Sequence, residues 1–169
     1  MLHYNGFKIR PIQLEDNTQI CNVIKGVFYE LNLPKIGTTF VDKDTDSMFE
    51  AYQDKKSIYY VVEKDDKILG GCGIKKLEGS DKNICELQKL YFHKSLRGKG
   101  VGKFILDLCL KFAKEKDLSL DITLRGSCGG NNLNSGTSGQ GGTGTLRRTF
   151  ERDQLYTLVG NDLLMQKKI

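Results

Sequence analysis

Ile84-Cys-Glu-Leu-Gln-Lys-Leu-Tyr-Phe92 and the run that follows it, His93-Lys-Ser-Leu-Arg-Gly-Lys-Gly-Val-Gly-Lys103, decide how this chain is read. The first segment alternates like a strand, with Cys85, Leu87, Lys89 and Tyr91 on one face and Glu86, Gln88, Leu90 and Phe92 on the other. Gly98, Gly100 and Gly102 then lead into a helical pattern with Val101, Phe104, Ile105, Leu108 and Phe112 on its apolar side. A glycine turn entering a helix exposes backbone N–H groups and positive partial charge, and a ligand can approach that backbone closely. Arg97, Lys99 and Lys103 add cations, so the turn favours a polyanion such as a pyrophosphate.

Upstream, Phe7 to Pro11 alternates as a short strand closed by its proline. Asp16 with Gln19 has the form of a variant capping box, and Ile20, Val23, Ile24, Val27, Phe28 and Leu31 repeat as one helical face. Residues 32–41 carry Pro34 and Gly37 and read as a loop. Asp44 to Asp54 follows as a shorter helix with Met48, Phe49 and Tyr52 on one side. Ser57 to Glu63 and Ile68 to Lys75 form a hairpin, in which Gly70, Gly71 and Gly73 point to a bulge or a close backbone neighbour. The polar turn Glu78 to Asn83 leads back to the strand at Ile84. Downstream, Leu118 to Leu124 is a further strand.

The 169 residues suit one domain and exclude two large ones. No run approaches the ~20 apolar residues of a bilayer span, and the N-terminus has no secretory pattern, so the expectation is a cytoplasmic protein with no membrane partner. Five cysteines without Cys-x-x-Cys spacing read as reduced structural thiols, not as a disulfide framework or a metal site. The net charge of +5 is modest, and no lysine run is interleaved with aromatics, so no nucleic-acid partner is expected. Composition breaks at residues 126–145, which hold eight of the 19 glycines and no charge. Their apolar content is too small to offset the entropy of ordering.

Three phosphate-binding patterns can be tried on the central turn. The nucleoside-triphosphate loop fails because Arg97 stands at its first glycine and Phe104 follows Lys103. The dinucleotide fingerprint fails because Lys103 stands at its last glycine. Arg/Gln-x-x-Gly-x-Gly/Ala is satisfied by Arg97, Gly100 and Gly102. With this loop and the element order from about Phe7 to Leu124, the chain resembles the GNAT superfamily of N-acetyltransferases.

That resemblance implies an α/β (α+β) fold of the acyl-CoA N-acyltransferase type, a mixed, mostly antiparallel sheet flanked by helices. It implies one domain over 1–169, with 126–145 atypical and 146–169 completing the sheet. It implies acetyl-CoA as cosubstrate, without metal. The cofactor would be held by Arg97, by the main-chain amides of Gly98, Lys99, Gly100, Val101 and Gly102, and by the cation of Lys103. The strand ending at Phe92 would splay from its neighbour and hold the pantetheine arm, with the Leu90 N–H polarising the thioester carbonyl. Glu86 is the candidate base and His93 a second one placed beyond the strand. Leu155-Tyr156-Thr-Leu-Val-Gly160 matches the segment in which the family places its acid, making Tyr156 the candidate, although Asn161 replaces a phenylalanine and only nine residues follow Gly160. The acceptor would be a small-molecule amine or a protein N-terminus or lysine, and a homodimer is compatible. The competing reading is a non-catalytic acyl-CoA-binding or interaction module.

Overall fold

A computed structural model of the protein describes residues 1–76, 83–124 and 146–149. Its seven strands lie side by side in chain order: β1 (Leu2–Tyr4), β2 (Phe7–Pro11), β3 (Ile58–Lys64), β4 (Lys67–Lys76), β5 (Ile84–Phe92), β6 (Ser119–Leu124) and β7 (Leu146–Thr149). Neighbours are antiparallel except β5 and β6, which run parallel. A parallel pair needs a crossover, and α4 (Val101–Glu115) supplies it. Between β2 and β3 come α1 (Asn17–Glu30), α2 (Lys43–Asp46) and α3 (Met48–Ala51). The mixed, mostly antiparallel sheet flanked by helices is the architecture expected of an acyltransferase.

Each face of the sheet carries its own apolar cluster. Ile74, Cys85 and Leu87 pack with Val101, Ile105 and Cys109 of α4. On the other face Tyr59 and Val61 meet Ile20, Ile24 and Phe28 of α1 and Met48 of α3. Gly71 and Gly73 on β4 lie against the Tyr59 ring, where an added Cβ would come within 2.5–2.6 Å, so these glycines mark a close neighbour as their pattern suggests. No described helix is long and apolar enough to cross a membrane.

Several local expectations are corrected. Asp16 does not cap α1: it lies in helical conformation with no side-chain cap bond. Its carboxylate instead accepts the Gln13 N–H at 2.8 Å and both Arg10 Nη groups at 2.6 and 2.9 Å, while Gln19 accepts the Ile68 N–H. A bidentate guanidinium outcompetes a neutral cap. The helix expected over Asp44 to Asp54 is two single turns broken at Ser47, because Asn17 of α1 accepts the Phe49 N–H at 2.7 Å and caps α3 from outside. On α4 the small Cys109 and Ala113 join Ile105 against the sheet, and Phe104, Leu108 and Phe112 lie at the border. β1 is an addition; Asn5 and Gly6 turn it into β2 with φ of 49° and 77°, the left-handed pair a tight hairpin turn requires.

The alternation in β5 also fails after Gln88. Gly71 pairs with Tyr91 and Gly73 with Gln88, so Lys89 and Leu90 both stand opposite Cys72 in a bulge, with Lys89 at φ 52°. The extra residue flips the pattern. Cys85, Leu87, Leu90 and Phe92 share the α4 face, and Tyr91 packs against the α1 cluster. Gln88 and Lys89 reach Tyr52 and Thr45 on that same α1 side.

Candidate active site

The glycine turn is held from three sides. Leu96 is buried in the core and closes a 3-10 turn begun at His93. Gly98 and Gly100 follow with φ of 74° and 73°, left-handed values that glycine adopts without cost. The β1–β2 turn buttresses them: Asn5 Nδ2 donates to the Lys99 carbonyl at 3.0 Å, and the Tyr4 ring stacks on Phe104 of α4 at 4.4 Å. The first α4 bond runs from the Phe104 N–H to the Gly100 carbonyl, so the amides of Val101 and Gly102 precede it and face the turn's mouth. The Lys99 amide already donates to the Leu96 carbonyl at 3.3 Å. The Lys99 side chain is exposed beside the turn.

Arg97 links the turn to α1. Its Nη1 pairs with Glu30 Oε1 at 2.7 Å, whereas Nε and Nη2 are buried and meet no hydrogen-bond partner among the described residues. Buried guanidinium nitrogens without acceptors are costly. An anion seated on the turn would satisfy them, and this donor set fits a pyrophosphate.

The edge of β5 leads from this turn into the sheet. Its parallel ladder with β6 covers Ile84, Cys85 and Glu86, opposite Ser119, Leu120 and Asp121, and stops there. From Leu87 to Phe92 that edge has no strand partner among the described residues. The bulge lies midway along the opening. Tyr59 Oη, fully buried, donates to the Lys89 carbonyl at 2.9 Å and holds the bulge in shape, while Leu90 is left outside the β4 register. Burial keeps the Tyr59 phenol well above its ordinary pKa, so it remains a donor.

Beneath α2 the same strand presents charge. Gln88 Nε2 donates to Glu86 Oε2 at 2.8 Å, and Tyr52 Oη donates to Gln88 Oε1 at 3.4 Å, which aims the Glu86 carboxylate. Lys75, in register with Glu86, pairs with Asp44 at 3.0 Å. Lys89 Nζ reaches Asp42 Oδ2 at 3.3 Å and Thr45 Oγ1 at 3.1 Å. Burial lowers the Lys89 pKa, and Asp42 partly offsets this.

Against these features stand the comparisons with known proteins. Residues 27–133 match the model of the acetyltransferase (GNAT) family. The chain belongs to the GNAT acetyltransferase family. It is 38% identical over 108 residues to the uncharacterized N-acetyltransferase YjgM of Escherichia coli, an alignment that spans 63% of this chain and 65% of that relative. Among solved structures, a GNAT-family acetyltransferase from Staphylococcus aureus shares the fold with a TM-score of 0.60 at 19% identity, over 69% of this chain and 73% of that one. A predicted acetyltransferase from Clostridium acetobutylicum, solved with acetyl-CoA, superposes with a TM-score of 0.58 at 16% identity, covering 79% of this chain and 96% of that one.

In this GNAT protein Arg97, Gly98, Gly100, Val101, Gly102 and Lys103 gather at one end of the β5 opening, Leu90 and Phe92 line it, and Glu86 stands where it begins. His93 is not part of that centre. Seven residues beyond Glu86 at ~3.3 Å each put it roughly 20 Å away. There its Nδ1 accepts the Ser95 N–H and its ring borders a cavity of about 510 Å³ between α1 and the start of β4, which reaches Glu30 but not Glu86. Tyr156 lies outside the described residues, as do 126–145 and residues 150–169 of the tail expected to complete the sheet. Among the described residues no cluster of three metal-ligating side chains occurs.

Sequence reasoning misses Gln88, Tyr52, Tyr59, Tyr4 and Asn5. The Asn5-Gly6 pair is a hairpin signal that points to the last two. Tyr52 and Tyr59 act through contacts 30 or more residues apart, which no local pattern reports, whereas Gln88 reaches Glu86 from two residues along the same face.

Proposed function

We propose that this chain transfers an acetyl group from acetyl-CoA to a primary amine by direct attack within a ternary complex. The observation that carries the reading is the opening of β5 beyond Glu86 into the mouth of a glycine turn whose Arg97 keeps two buried nitrogens without acceptors among the described residues.

Arg97 and the amides of Gly98, Gly100, Val101 and Gly102 would hold the pyrophosphate, with Lys99 and Lys103 adding charge. The main chain at Leu90 and Phe92 would hold the pantetheine arm. When bound, the cosubstrate supplies an activated acetyl thioester. Leu90 N–H, outside the sheet register, would donate to the carbonyl oxygen as negative charge builds there, an oxyanion-hole role. Glu86, aimed by Gln88, would take the proton of the acceptor ammonium directly or through water. The freed nitrogen bonds to the carbonyl carbon and gives up its second proton to water, the carbon–sulfur bond breaks, and the thiolate takes a proton for which Tyr156 is the candidate donor.

Thiol release from acetyl-CoA with a panel of primary amines tests this. Amine-dependent release well above hydrolysis is expected. Tight acetyl-CoA binding with no release for any amine would favour the non-catalytic module instead.

A further inference from the structure

The charged groups under α2 are arranged by sign in a way that the acetyl-transfer chemistry alone does not require. Glu86 and Lys89 project to the same side of β5, and the bulge brings them there together. Without the extra residue, strict alternation would put Lys89 on the α4 face beside Leu87. Its side chain is only 5% exposed, and burying an ammonium that deeply is costly unless an anion accompanies it.

The anion present is a loose partner. Asp42 is 45% exposed, belongs to the segment leading into α2, and stands at 3.3 Å, longer than the 2.7–2.9 Å of a good charge-assisted bond. Thr45 takes a second N–H and passes its own hydroxyl to the Thr39 carbonyl at 2.6 Å. An ammonium has three donors, and these two acceptors occupy two of them. Lys75 adds a second cation across from Glu86.

From this geometry we infer that the acceptor carries an anionic group, a carboxylate or a phosphate, beside the amine that is acetylated, and that Lys89 receives that anion while Glu86 faces the amine. The inference rests on the acetyl-transfer reading above and narrows its substrate class. Lys89 is then a specificity-determining residue, and it disfavours acceptors with a second ammonium in place of the anion.

The test is the ratio of kcat/KM within matched pairs that differ by the anion: L-ornithine against putrescine, L-lysine against cadaverine, and O-phosphoethanolamine against ethanolamine. In at least one pair the anionic member should be favoured by about tenfold or more, the scale of one hydrogen-bonded charge pair. The pair that responds distinguishes carboxylate from phosphate. Lys89→Gln should bring that ratio near one and Lys89→Arg should retain most of it, with acetyl-CoA affinity by calorimetry unchanged in both. A merely structural lysine would lower both members of a pair alike. Turnover that favours putrescine, cadaverine and ethanolamine, or a ratio that survives Lys89→Gln, overturns the inference and leaves acetyl transfer standing. No turnover with any amine overturns the acetyl-transfer reading and this inference with it.

Discussion

Gly98 and Gly100 share a backbone conformation but not an environment, and that difference makes the glycine turn testable. Alanine at either position must adopt a left-handed φ near 74°, at a cost of about 1–2 kcal/mol. At Gly98 an added Cβ meets nothing within 4 Å. At Gly100 it comes to 2.8 Å from Tyr4 Oη, and the tyrosine cannot swing away without leaving its stack on Phe104, a contact worth about 0.5–1.5 kcal/mol. Gly100→Ala should therefore melt lower than Gly98→Ala by about 1 kcal/mol, or roughly 2–4 °C for a chain of this size. Deleting the hydroxyl removes the clash, because the next ring atom lies at 3.7 Å, an ordinary contact. Tyr4→Phe combined with Gly100→Ala should thus return to the Gly98→Ala level. The same strain appears in binding, since the turn must keep this shape to present its amides. A loss of 1–2 kcal/mol corresponds to about 5–30-fold weaker acetyl-CoA affinity by calorimetry. Unchanged affinity in Gly100→Ala, or a double variant that melts no higher than the single one, would refute the role given to this turn.

Other consequences follow from the same contacts. Glu86→Gln should lower kcat/KM chiefly on the acid side of the pH profile, where the amine most needs to lose a proton, and an unaltered profile removes Glu86 from the mechanism. Tyr59→Phe leaves the Lys89 carbonyl without its buried donor and should cost about 1–3 kcal/mol by denaturant unfolding; a neutral result means the bulge holds without it. Lys8 first, then Arg10, holds the Glu63 carboxyl below the ordinary carboxylate range against its burial. That contribution is complete above the unfolded-state value of about 4.3 and fades as pH falls below it through the folded value. Melting temperature should show this acid limb, and Glu63→Gln should flatten it.

The elements that position the site follow from local periodicity, since strands and helices of this length bury one face. Phe7–Pro11, β3, β4, β5, α1 and α4 all carry that signal, and Arg97-x-x-Gly100-x-Gly102 marks the turn between two of them. What local pattern does not report is competition between distant partners. Asp16 has the letters of a cap, yet Arg10 offers it two charge-assisted bonds. Residues 44–54 have helical spacing, yet Asn17 caps a new turn at Phe49. Lys99 lies in the phosphate turn, yet its amide closes on Leu96. In the first two cases a group farther along the chain supplies a better partner than the local pattern, and in the third a turn of three residues does.

The bulge at Lys89 is the strongest case, because a positive φ is unusual for a residue with a long side chain and nothing in the letters around it announces one. Its conformation is set by β4, whose Gly71 and Gly73 let Tyr59 lie flat against the strand, and by the Tyr59 hydroxyl, which takes the displaced carbonyl. The glycines of β4 and the bulge of β5 are thus one feature seen on two strands. It has separable outputs: it removes Leu90 from the β4 register, and it turns Lys89 toward the face that holds Glu86. A uniform strand would provide neither, since strict alternation would leave Leu90 opposite a partner and send the ammonium into the core. The departure from the regular pattern therefore lies where, in the proposed reaction, the Leu90 N–H would meet the thioester and the Glu86 carboxylate and Lys89 ammonium would meet the acceptor.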